Sequence, residues 1–203
     1  MEKQIELVSI EKDVLDFYKR VLFGSFNDPF EAACFRAYRD FNRTLPLKKA
    51  GINDANKRKY LREHATGIIR DSVTKLLCSK CKTQDDFDKW HEETTEKIRS
   101  WYISKGVEFT YGHAQKWLNM TLKYLYILHA CDFKKLSDFF HAPVDNYILD
   151  AAEADFDIKR PCKAWSNWDE GYNSYLTYQK KLREKMQEQS LFRWEFQAWN
   201  NAK

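Results

Sequence analysis

The amino-acid sequence predicts an all-α protein, and three observations support this prediction. Hydrophobic residues recur at helical spacing through most of the 203 residues, and no convincing run of alternating polar and apolar residues interrupts them. Only 6 Gly and 4 Pro leave few positions for the tight turns of a β-sandwich or barrel. Hydrophobic residues make up 43% of the chain and charged residues 32%, as is typical of globular proteins. We therefore expect a compact multi-helix single domain over residues 1–203.

Start and stop signals divide the chain into helical segments. Asp28-Pro29 places a capping side chain before a proline at the first helical position. Thr83-Gln-Asp-Asp86 resembles a capping box, and Gly24 and Gly106 are suitable stops. The first predicted helix carries an apolar stripe of Leu15, Tyr18, Val21 and Leu22 and ends near Gly24, and the second runs from Asp28 to about Thr44. A strongly apolar helix is predicted after Gly112. The other predicted helices span residues 53–77, 83–106, 133–140, 144–152, 171–188 and 190–200.

Composition narrows the environment of the protein. The formal net charge of +4 permits an anionic partner without requiring one. No apolar run approaches the roughly 20 residues needed to cross a bilayer, so we expect no membrane partner. The first residues lack the charged-then-apolar order of a signal peptide, which predicts a cytoplasmic location. We also expect a monomer.

Two charged residues at neighbouring helix starts carry the sharpest chemical hypothesis. Lys116 lies about one turn into the apolar helix after Gly112, and an apolar environment favours the neutral, nucleophilic form of a lysine amine. Asp145 follows Pro143-Val144 and is expected near a helix start, where exposed backbone N–H groups favour an ionised carboxylate. In the alternative interpretation both residues have only structural roles, since the lysine extends to solvent and the aspartate caps a helix.

This pattern resembles the helix-hairpin-helix DNA glycosylases, in particular the endonuclease III and archaeal 8-oxoguanine branches. Gly112 matches the first hairpin glycine, and Lys116 and Asn119 match the lysine and asparagine that follow it. Val144-Asp145 matches the aspartate segment, whereas Ala114 stands in place of the second glycine. The match covers roughly forty residues.

The resemblance implies a base-excision repair glycosylase, with possible lyase activity, acting on double-stranded DNA that contains a damaged base. Lys116 would attack the deoxyribose of a flipped nucleotide, and Asp145 would assist it. The resemblance also places Gly112, His113 and Asn119 at the DNA. No iron–sulfur cofactor is implied, because no four-cysteine cluster follows.

Further residues extend either that hypothesis or an alternative, a non-catalytic helical module that binds protein or nucleic acid. A basic segment containing Lys57, Arg58 and Arg62 would contact a DNA backbone, or else form a solvated face. Trp165 and Trp168 are candidate walls of a base pocket, although tryptophans at such spacing more often belong to a core.

The cysteines and histidines do not predict a metal site. Cys78 and Cys81 form a C-x-x-C pair, but the further ligands that zinc needs are irregularly spaced. We therefore expect unconnected thiols and no cofactor.

Overall fold

A computed structural model describes residues 11–24, 28–79, 81–186 and 189–201. These ranges contain eight α-helices and no strand, so the prediction of an all-α fold is confirmed. The helices are α1 (Lys12–Phe23), α2 (Pro29–Phe41), α3 (Ala55–Cys78), α4 (Gln84–Ile103), α5 (Tyr111–Ile127), α6 (Asn146–Phe156), α7 (Tyr172–Lys185) and α8 (Leu191–Asn200). Short 3-10 helices lie at Asn42–Thr44, Lys134–Phe139 and Trp165–Asn167.

The predicted helix starts are confirmed where the local signal was strong. The Asp28 carboxylate accepts the backbone N–H groups of Phe30 and Glu31, at 3.0 and 3.1 Å. Thr83 and Asp86 form the capping box at the start of α4. The segment 133–140 instead forms a 3-10 helix between Lys134 and Phe139, a tighter conformation that is common in short helical connections.

Helix α5 is the centre of the molecule. All twelve residues from Gly112 to Lys123 are buried, beneath α2, α4, α7 and the 3-10 helix at Trp165–Asn167. A helix buried on every side must find an internal partner for each polar side chain it carries, because an unpaired buried polar group is costly. The polar side chains of α5 therefore both position the neighbouring elements and are the candidates for any chemical role in this region.

Helix α1 differs from the other helices. The predicted stripe does form a helix, but its apolar side chains face solvent, and only Phe23 of this helix is buried. The hydrophobic core otherwise runs through α2 to α8. Within the described ranges, none of the helices combines the length and apolarity required to span a bilayer.

Candidate functional site

Lys116 and Asp145 lie in direct contact, although 29 residues separate them in sequence. The Lys116 Nζ atom is 2.6 Å from Oδ2 of Asp145 and also donates to the carbonyl oxygen of Pro143 at 3.3 Å. The other carboxylate oxygen of Asp145 accepts the N–H groups of Tyr147 and Ile148 and so caps α6. The two residues thus form one charged junction between α5 and α6.

This junction is enclosed. The Lys116 side chain is 3% exposed and that of Asp145 is 18% exposed, so only the carboxylate side reaches solvent. Both ends of the ion pair are compensated by protein groups, as a buried charge requires. A nucleophilic role for Lys116 would need the amine to leave Asp145 and become accessible to a sugar carbon.

Gln115 determines where the Asp145 segment lies on α5. Its side-chain amide donates to the Val144 carbonyl oxygen at 2.8 Å, and its side-chain oxygen accepts the Val144 N–H at 3.1 Å. This two-bond contact holds the extended residues before α6 against α5, which brings Asp145 to Lys116. The role of Gln115 could not be predicted from the sequence, because its partner Val144 is 29 residues away and local spacing does not indicate it.

Gly112 is required for close packing. A Cβ atom on Gly112 would lie 1.8 Å from the carbonyl oxygen of Trp165, and the Gly112 N–H donates to the carbonyl oxygen of Trp168 at 3.2 Å. The glycine therefore lets the start of α5 approach the 165–168 segment. Its N–H is used inside the protein, in contrast to the predicted contact with a DNA phosphate.

His113 is also buried, at the first turn of α5. Its ring Nδ1 atom accepts the backbone N–H of Thr110 at 3.2 Å, and its backbone N–H donates to the Thr110 hydroxyl oxygen. The two residues therefore form a capping box. Burial lowers the pKa of His113 to about 4, which keeps the ring neutral near pH 7. His113, which the glycosylase resemblance places at the DNA, is thus a buried residue that caps α5.

Asn119 belongs to a buried hydrogen-bond chain that runs in one direction. Its carbonyl oxygen accepts from His91 Nε2 at 2.9 Å, and its amide donates to the Tyr175 hydroxyl at 2.9 Å. The Tyr175 hydroxyl lies 2.8 Å from His141 Nδ1, and His141 Nε2 lies 2.7 Å from Asp88. Because Asp88 can only accept, His141 carries its proton on Nε2 and Tyr175 donates to Nδ1. Asn119, which the glycosylase resemblance places at the DNA, is therefore an internal residue that is 2% exposed.

Asp88 is the terminal acceptor of this chain. Arg183 donates to its two carboxylate oxygens at 3.0 and 2.8 Å. Burial alone would raise the pKa of Asp88, but the hydrogen bonds from His141 and Arg183 outweigh it and hold the pKa well below its usual range. Burial lowers the pKa values of His91 and His141, so both rings are neutral. No local sequence pattern predicts this network, since its members come from α4, α5, α7 and the segment before α6.

Trp165 and Trp168 are core residues. Both are buried, Trp165 with its ring nearly perpendicular to that of His113, and Trp168 with its indole N–H donating to the Lys163 carbonyl oxygen at 3.3 Å. They pack the irregular segment onto α5 and α7. The prediction that they wall a base pocket is not supported by these positions.

Part of the predicted basic segment lines a surface groove between α2 and the start of α3, which we call the cationic groove. Its volume is about 520 Å³. The lining residues are Phe35, Tyr38, Arg39, Asn42, Arg43, Leu47, Ala55, Arg58, Lys59 and Arg62. Five of them are cationic and none is acidic. Lys57 is exposed at the start of α3 but does not line the groove.

The groove holds its cations in place without neutralising most of them. Arg58 Nε donates to the Ile52 carbonyl oxygen at 3.0 Å, and the Arg62 guanidinium lies 4.5 Å from the ring centroid of Phe35. In the described part of the chain, Arg39, Arg43 and Arg58 form no salt bridge, whereas Glu63 lies 3.7 Å from Lys59 and 3.9 Å from Arg62. The groove is therefore a positively charged surface with few compensating carboxylates.

Cys78 is exposed and Cys81 is half-buried, and both are free thiols. Among residues 11–24, 28–79, 81–186 and 189–201, no group of three His, Cys, Asp or Glu side chains is arranged to hold a metal ion.

Comparisons with protein families, with curated proteins and with solved structures find no match to this chain.

Proposed function

We propose that this protein binds nucleic acid through the cationic groove. The observation that carries the proposal is the convergence of five cations from α2, the 3-10 helix that follows it and α3 on one groove whose lining contains no carboxylate. Phosphate contacts from Lys and Arg supply most of the affinity of sequence-independent nucleic-acid binding.

The arrangement of the arginines suits a phosphate backbone. Arg39 and Arg43 are four residues apart, as are Arg58 and Arg62, so each pair lies along one side of its segment. The two pairs line the same groove from opposite sides, α2 with the turn that follows it and α3. A planar guanidinium bonds two phosphate oxygens at once, which makes arginine better suited to this task than lysine.

The test compares two triple variants of equal charge. One replaces Arg39, Arg43 and Arg58 with Gln, and the control replaces Lys180, Lys181 and Lys185, which are exposed on α7. Binding to short fluorescein-labelled DNA, single-stranded and duplex, is measured by anisotropy between about 50 and 200 mM salt. We expect the groove variant to weaken binding and to reduce the slope of log affinity against log salt by about 2 to 3, and the control to change neither substantially.

An equal loss of affinity in the two variants would show that only net charge matters, and would contradict the proposal. So would a wild-type protein that binds neither DNA at the lowest salt concentration.

A DNA glycosylase is a second candidate function. The observation that favours it is the 2.6 Å contact between Lys116 and Asp145, the two residues that the glycosylase resemblance assigns to catalysis. We place it second because the amine is 3% exposed and is already paired with protein oxygens. Catalysis would therefore require DNA binding to open the junction between α5 and α6.

Borohydride trapping on oligonucleotides with damaged bases or abasic sites tests this candidate. Lys123 provides a matched control, because it lies on the same helix and is also buried in an ion pair, with Glu195 at 2.7 Å. A glycosylase with lyase activity predicts a covalent adduct that Lys116→Ala abolishes and Lys123→Ala retains. An adduct that survives Lys116→Ala would exclude Lys116 as the nucleophile.

A further inference from the structure

Helix α1 presents a continuous apolar face to solvent. Its exposed members are Val14 (40%), Leu15 (40%), Phe17 (62%), Tyr18 (54%), Val21 (66%) and Leu22 (56%). At 100° per residue these six side chains occupy one face of the helix that spans less than half of its circumference. A contiguous exposed apolar surface of this kind marks an interaction site more often than a solvated one.

The helix contacts the rest of the protein through its other side. Phe23 is buried, with its ring 5.2 Å from that of Tyr124, and Lys19 is half-buried. On a helical projection both residues lie about 160° from Val21, the most exposed member of the apolar face. The apolar face therefore points away from the body of the protein, where a second molecule has access to it.

The charges beside this face are self-complementary. Asp13 and Arg20 are seven residues, or about two turns, apart and so lie along the same edge of the apolar face. The acidic residue lies near the helix start and the basic residue near its end, and both are exposed. When two such helices pair antiparallel, Asp13 of each copy approaches Arg20 of the other, which gives two equivalent ion pairs.

The opposite edge of the face supports the same orientation. Leu15 and Leu22 are also seven residues apart, so an antiparallel pair brings Leu15 of one copy toward Leu22 of the other. Tyr18 and Val21 lie between these two edges, at the centre of the face. A parallel pair would align the acidic ends with each other and leave each Arg20 far from Asp13.

We infer that α1 pairs antiparallel with α1 of a second copy of this chain, forming a two-fold symmetric dimer. A membrane surface fits less well, because helices that lie on membranes concentrate Lys and Arg on the polar face, whereas α1 carries Asp13 and Asp16 among its cations. A pair of twelve-residue helices forms a small interface, so we expect a weak dimer. This inference is independent of the cationic groove, and it replaces the expectation of a monomer.

Sedimentation velocity of the full chain over a range of concentrations, with charge-swap variants, tests the inference. Asp13→Arg and Arg20→Asp alone each place like charges opposite one another, so each should weaken the dimer several-fold. The double swap restores both ion pairs and should recover wild-type association. Val21→Asp should abolish association, and circular dichroism should show an unchanged helical content because Val21 is 66% exposed.

Each of the following results would overturn the inference. A wild-type chain that is monomeric up to high concentration would show that no second copy covers the face. Association that Val21→Asp leaves unchanged would place the interface elsewhere. Single swaps without effect, or a double swap that fails to restore association, would exclude the antiparallel pairing. Binding of the monomer to phosphatidylserine vesicles, lost in Val21→Asp, would assign the face to a membrane instead.

Discussion

The Lys116–Asp145 junction and the cationic groove both contain several charged groups, but these groups are paired in the junction and mostly unpaired in the groove. In the junction Lys116 is enclosed and Asp145 is largely enclosed, and each is paired with the other and hydrogen-bonded to the backbone. In the groove most of the cations face solvent and three arginines have no carboxylate partner within the described chain. Matched buried charges hold helices together, whereas unmatched exposed charges remain available to a ligand.

This comparison makes opposite predictions for stability and for binding. Removing one member of a buried pair leaves the other uncompensated in a medium that solvates it poorly, which is costly. Removing an exposed arginine leaves its neighbours hydrated, and reduces the repulsion among them. We therefore expect variants in the junction to affect folding and variants in the groove to affect ligand binding.

The largest effect is expected for Asp145→Ala. This substitution removes the partner of Lys116 and the cap of α6 together, so the free energy of unfolding should fall by about 3 to 5 kcal/mol. Lys116→Met should cost clearly less, because Asp145 would keep its two capping N–H groups and its partial exposure. Urea denaturation measures both. A loss below about 1 kcal/mol for Asp145→Ala, the range of a surface ion pair, would contradict the enclosed junction.

Gly112→Ala should have the next largest effect. The added Cβ would meet the Trp165 carbonyl oxygen at 1.8 Å, so α5 and the 165–168 segment must separate, at a cost of about 1 to 3 kcal/mol or more. Gly67→Ala is the matched control. No atom lies within 4 Å of its added Cβ inside α3, so it should stabilise the protein by about 0.5 to 1 kcal/mol. Equal effects of the two substitutions in thermal or urea unfolding would contradict the close approach.

The buried histidines predict that stability depends on pH. The pKa values of His91, His113 and His141 are lowered by burial, so protonation below about pH 6.5 favours the unfolded chain, whose histidines have ordinary pKa values. The contribution is complete above pH 6.5 and is lost as the pH falls, by about 1 kcal/mol or more between pH 7 and 5. Urea midpoints at several pH values measure it.

The cationic groove sharpens this comparison, because its arginines stay charged throughout that range. DNA binding, measured where the protein remains folded, should change little between pH 7 and 6.

For the histidines, a free energy of unfolding that does not change between pH 7 and 5 would contradict the prediction that their rings are buried and neutral.

The smallest effect is expected for the groove variants in unfolding experiments. Arg39→Gln and Arg43→Gln replace exposed side chains without a salt bridge, so each should change the free energy of unfolding by no more than about 0.5 kcal/mol. A larger loss would mean that these arginines hold α2 to its neighbours and would weaken the case for a ligand site.

Local sequence signals predicted the helices well because their causes are local. Asp28-Pro29 and the Thr83–Asp86 capping box each satisfy the N–H groups of their own helix, and both helices begin where expected. The stripe in α1 predicted a helix as well. Spacing alone, however, defines a face without specifying what covers it, and this face is exposed.

The candidate site was less accessible to sequence analysis because burial depends on distant parts of the chain. The glycosylase resemblance placed Lys116 and Asp145 together, and the structure shows them in contact, but it did not indicate that the junction would be closed. His91 and His141 showed no recognisable spacing, because their partners lie on other elements. The basic segment was recognisable from its composition, and Arg43 lies just before it in the sequence, but Arg39 joins the groove only because α2 packs against α3.

The hydrogen-bond chain that ends on Asp88 also has a consequence for how the protein folds. Asp88 lies 95 residues before Arg183, which donates hydrogen bonds to both of its carboxylate oxygens. During synthesis, the polar groups of α4 and α5 must therefore stay hydrated until α7 has left the ribosome. Contacts of such long sequence separation slow folding relative to helical proteins dominated by local contacts. We therefore expect the core of this protein to form late and in one step, when the C-terminal third packs against α4 and α5 and excludes water from their polar groups.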